Sequence, residues 1–146
     1  MNSTTPNSKL VSYATAIVVL HTLVTLVHGA AHVSESVYGS VLDTIFIVVV
    51  IWFAPIGAIL LLQMRRWQMG SVILLVAMAG SLLYGVYNHF ILPGPDNVVS
   101  FPAGVWQGYF QVTAVLLAII EAAGTLLGLA LVLRNLTRRP EIDLTP

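Results

Sequence analysis

Val11–Val33 reads VSYATAIVVLHTLVTLVHGAAHV and holds no Lys, Arg, Asp or Glu. At about 1.5 Å of helical rise per residue, such a run crosses a hydrocarbon core about 30 Å thick, so it predicts a membrane span. Within it His21, Thr25, His28 and His32 recur at spacings of four, three and four, which places them on one face of a helix. An unpaired polar group in lipid costs several kcal/mol. That face is therefore expected to turn toward other helices or water and to mark a site.

Three further apolar runs, Val41–Gln63, Gly70–Ile91 and Val105–Leu133, meet the same length requirement. Turn-rich breaks separate the runs: Ser34-Glu35-Ser36 with Gly39-Ser40, Arg65-Arg66-Trp67, and Pro93-Gly94-Pro95-Asp96-Asn97. Short breaks join neighbouring helices. The expected fold is a single-domain, all-α integral membrane protein, an antiparallel four-transmembrane-helix bundle with helices at about 11–33, 41–63, 70–91 and 105–133 and polar tails at 1–8 and 140–146.

Composition agrees. The 146 residues are 58% hydrophobic and 8% charged, whereas a soluble domain carries about a quarter of its residues charged, so the partner surface is a lipid bilayer. Zero formal charge offers no basic surface for nucleic acid. The absence of Cys excludes disulfides, iron–sulfur clusters and thiolate metal sites, leaving imidazole, carboxylate, amide or water to hold any metal.

Charge placement predicts orientation. Lys9, Arg65, Arg66, Arg134, Arg138 and Arg139 all fall on one side of the bundle, and the opposite connections contain neither Lys nor Arg. The positive-inside rule then puts both termini in the cytoplasm and His28, His32 and Glu35 toward the outer face. The first run is longer than a signal-peptide core and is preceded by one basic residue, so it reads as a retained helix. Small loops without a targeting signal point to a prokaryotic plasma membrane.

Tracing depth along alternating helices brings His28, His32, Asp43, Asn88, His89, Gln107 and Gln111 into one half of the bundle. His21 and Glu121 lie deeper, at matching height, where a hydrogen bond between them lowers the cost of burying either. Imidazoles four residues apart can reach one metal ion; His89 can add a third nitrogen and Asp43 or water a fourth ligand, for a zinc, iron or copper ion. Asn88, Gln107 and Gln111 would form the surrounding polar shell. A b-type haem between the first and third helices, which lie diagonally in such a bundle, is the other cofactor reading; the layout is similar to small membrane cytochromes in architecture, without a shared motif.

Function follows from whichever of these holds. A metal or haem site suits electron transfer, redox sensing or assembly of a larger membrane complex. A His21/Glu121 relay suits proton or ion transport and would call for a homo-oligomer, because four helices enclose a narrow path. An accessory subunit would use the same histidines as interhelical hydrogen-bonding groups. No Ser-His-Asp arrangement, phosphate loop or zincin box is present, so catalysis is the least supported class. Asp96 could reach over the outer site but is assigned to turn formation, Pro55 to a kink in the second helix, and Gly124 and Gly128 to helix packing.

Overall fold

The computed structural model describes residues 8–137, and these are helical apart from their connections. The first helix spans Ser8–Ser34, the second Val41–Gln63, the third Trp67–Ile91 and the fourth Gln107–Thr137. All four are long and apolar enough to cross a membrane. The first, third and fourth begin or end a few residues beyond the apolar runs, because hydropathy marks where lipid begins rather than where backbone hydrogen bonding stops. Arg138, Arg139 and most of the expected polar tails lie outside the described residues.

The helices form an antiparallel bundle in cyclic order. The fourth packs along both the first and the third, the third along the second, and the second meets the first through its Ala54–Gln63 portion. The first and third are thus diagonal, as the short connections require. At the end bearing Arg65 and Arg66, Ala58, Leu62, Leu74, Met78 and Leu131 form a dry core with Ala14 and Val18. Glycine permits the close approach there: a Cβ on Gly128 would stand 2.8 Å from the Leu75 backbone, and one on Gly124 would run into Met78. Apolar attraction cannot hold helices together in lipid, so this intimate packing supplies the cohesion.

The opposite end is built differently. The second helix starts in a capping box: Asp43 N–H donates to Ser40 Oγ at 3.2 Å, and Ser40 N–H donates to Asp43 Oδ2 at 2.7 Å. It then passes through a π-helical stretch, Ile47–Phe53, before α-helix resumes at Ala54. Pro55 supplies a reason, since it lacks an N–H and its ring crowds the carbonyl four residues back. The irregularity expected at Pro55 therefore takes the form of a widened turn, with Ala54 N–H reaching back to Val49 O. No residue from Val41 to Phe53 is buried. A second π segment, Tyr87–Ile91, ends the third helix, where Leu92 N–H donates to Tyr87 O at 2.7 Å.

Candidate metal centre

Two helices bring the three histidines together. His28 and His32 stand one turn apart on the first helix, and the π turn ending the third helix carries His89 toward them from across the bundle. His28 Nε2 lies 3.2 Å from both His89 Nε2 and His32 Nε2. The rings meet edge to face, with centroids 4.9 Å apart for His28–His32 and 4.8 Å for His28–His89. Buried Phe110 forms the floor, stacked against His28 at 4.9 Å and itself backed by Phe101 at 3.8 Å.

Hydrogen-bond accounting fixes which nitrogens face inward. His32 Nδ1 lies 3.2 Å from Val37 O and His89 Nδ1 lies 3.0 Å from Asp96 O, and a carbonyl oxygen only accepts. His28 Nδ1 lies 2.9 Å from Thr113 Oγ1, whose single hydrogen is directed to the backbone oxygens of Tyr109 and Phe110. All three Nδ1 atoms are thus donors to acceptors outside the cluster. In the neutral imidazoles the three Nε2 lone pairs consequently converge, an arrangement that could hold a metal ion.

The spacing fits one. With metal–imidazole bonds of about 2.0–2.1 Å, two nitrogens in tetrahedral coordination stand about 3.3 Å apart. An outer shell that orients each imidazole through its other nitrogen is the usual companion of such a site, and Thr113, Val37 and Asp96 occupy those positions here. Asp96 contributes more. Its Oδ1 is buried without a hydrogen-bond partner of good geometry, 3.3 Å from His32 Nε2 and 3.2 Å from His89 Nδ1. A macrocycle held between His28 and His89 would instead place their nitrogens on opposite sides of the iron, about 4 Å apart. The 3.2 Å between His28 Nε2 and His89 Nε2 is shorter than that.

The other expected residues are distributed around this cluster. Asp43 is engaged in its capping box, and the carboxylate adjoining the imidazoles is that of Asp96, for which turn formation is the preferred reading of the sequence. Asn88 borders the cavity beside His89 but donates to Tyr84 O at 2.9 Å. Gln107 and Gln111 donate to Phe101 O at 3.2 Å and Val98 O at 2.8 Å, fastening the connection between the third and fourth helices. The buried stripe of the fourth helix runs instead through Phe110, Thr113, Leu117, Glu121, Gly124 and Gly128. Phe110, Thr113 and Val37 thus escaped the sequence reading. Thr113 alone left a trace, at a helical spacing of eight from Glu121.

Deeper in the bundle, His21 Nε2 and Glu121 Oε1 pair at 3.1 Å, both residues buried. A cavity of about 440 Å³ lies beside the second helix and is bordered by the histidine cluster, Asp96 and Glu121 together. No protein-family model, curated protein or solved structure matches the chain.

Proposed function

We propose that this is a small metal-binding membrane protein whose His28, His32 and His89 hold one transition-metal ion through Nε2, with Asp96 orienting His89 and adjoining the ion. The convergence of three Nε2 lone pairs, each tautomer fixed by a separate outer acceptor, carries this reading. Imidazole and carboxylate suit zinc, copper or iron. A bare ion suits the 3.2 Å spacing better than b-type haem does. Among the uses open to such a centre, electron transfer and redox sensing need copper or iron, whereas support of a larger membrane complex can use zinc.

The charge distribution supports a topology with both termini in the cytoplasm and the metal near the extracytoplasmic face of a prokaryotic plasma membrane. Elemental analysis of detergent-purified protein reconstituted with zinc, copper(II) or iron(II) tests the centre. The expected result is one ion per chain, lost in His28→Ala. Absence of a stoichiometric ion with all three metals would overturn the reading, and a Soret band would replace it with haem.

The His21–Glu121 pair favours a second reading, proton or ion transfer through the bundle, because Glu121 borders the same cavity as the histidine cluster. Proteoliposomes carrying the protein would then show a flux that Glu121→Gln abolishes. A flux equal in both would rule it out.

A further inference from the structure

The cavity itself has the character of a ligand site. Its apolar wall consists of Ile47, Ile51 and Trp52 of the second helix and Ala114, Leu117 and Ala118 of the fourth. The second helix closes this space without packing into it, since none of its residues from Val41 to Phe53 is buried. Between the polar groups at its edges stands Gly85, where a Cβ would lie 3.7 Å from Glu121 Oε2 and 3.9 Å from His89 Cδ2. The missing side chain keeps the passage from carboxylate to imidazole open.

Glu121 indicates what the occupant must offer. The residue is 3% exposed, its Oε1 is taken by His21, and its Oε2 makes no hydrogen bond among the described residues. A carboxylate oxygen at membrane depth without a partner is costly. An occupant that donates a hydrogen bond removes that cost. A cationic donor would sit beside the centre proposed above and be repelled by its ion, whereas a neutral hydroxyl meets no such penalty.

We infer that the cavity binds an uncharged, lipid-soluble aromatic alcohol, a phenol or quinol in chemical class, with its ring among Trp52, Ile51 and Leu117 and its hydroxyl donating to Glu121 Oε2. The volume, about 440 Å³, lies within the range of small-molecule pockets. The choice of a neutral over a cationic donor rests on the metal reading, whereas the Glu121 acceptor and the apolar walls do not, so the inference can fail separately from that reading.

Binding of 4-pentylphenol and of pentylbenzene to nanodisc-embedded protein, in zinc-loaded and chelator-treated forms, provides the test. A site built to pair a hydroxyl rejects the analogue lacking it, so the phenol is expected to bind at least tenfold more tightly in both forms. Ala118→Phe, which fills the space one turn from Glu121, should weaken phenol binding at least tenfold while zinc stoichiometry stays at the wild-type value. Equal affinity for the two probes, or phenol binding unchanged in Ala118→Phe, would overturn the inference. Should that variant fail to fold, the two-probe comparison on the wild-type protein still decides.

Discussion

The two ends of the bundle solve opposite problems. Near Arg65 and Arg66, small residues let the third and fourth helices close on each other, with Gly128 against the Leu75 backbone and Met78 filling the space at Gly124. Near the histidines Ala31, Val37, Phe101 and Phe110 form a second buried cluster, but the second helix buries nothing over its first two turns and beyond, and a cavity with both polar and apolar walls lies beside it. Close packing gives the first end its cohesion. The second end surrounds its cluster of imidazoles with Phe110 and Phe101 on one side and open space on the other, and its connections hold that cluster in place through backbone hydrogen bonds. Stability and ligand binding should therefore be separable by mutation.

The largest effect that would sharpen this division is expected at the ligands. His28→Ala should lower zinc affinity at least 100-fold by isothermal titration, equivalent to about 2.7 kcal/mol, because it removes the nitrogen central to the other two. A smaller loss would mean that His32 and His89 bind without it. Next come the orienting groups. Asp96→Asn and Thr113→Val should each reduce metal affinity about 10–100-fold, the range usual for outer-shell partners, with the purified fold intact by circular dichroism.

At the packed end the effects should reverse. Gly128→Leu forces the fourth helix away from the Leu75 backbone and should destabilise the bundle by about 1–3 kcal/mol in thermal unfolding, while zinc affinity changes less than threefold. Loss of metal binding in this variant would break the comparison. The smallest effect belongs to Gln111→Ala, which deletes one hydrogen bond to Val98 O and should cost about 1 kcal/mol with little change at the metal.

Legibility in the sequence followed the same division. Four spans, their antiparallel order and the inward face bearing His21, Thr25 and His28 could be read from run length and helical period, because both depend on the backbone's fixed rise and twist. The convergence of His89 with His28 and His32 could be read from depth. That Asp96 could reach over this site is one reading of the sequence, but its contacts with His32 and His89 were not legible, since they depend on how the 92–106 connection folds back, which no periodicity reports. The partners of Gln107 and Gln111 were hidden for a related reason. A stripe of polar residues at the right spacing implies a common face but not which neighbour it meets, and here that neighbour is the connection itself.

The widened turn at Tyr87–Ile91 has a consequence for how tolerant this chain can be of change. Accommodating one extra residue there sets the azimuth of His89 and of the Leu92–Asp96 exit. Deleting a single residue such as Phe90 would restore ordinary helical register and swing the following strand of chain by about 100°. Asp96 would then leave His89, so insertions and deletions in this short segment should be far more damaging than substitutions that preserve its length.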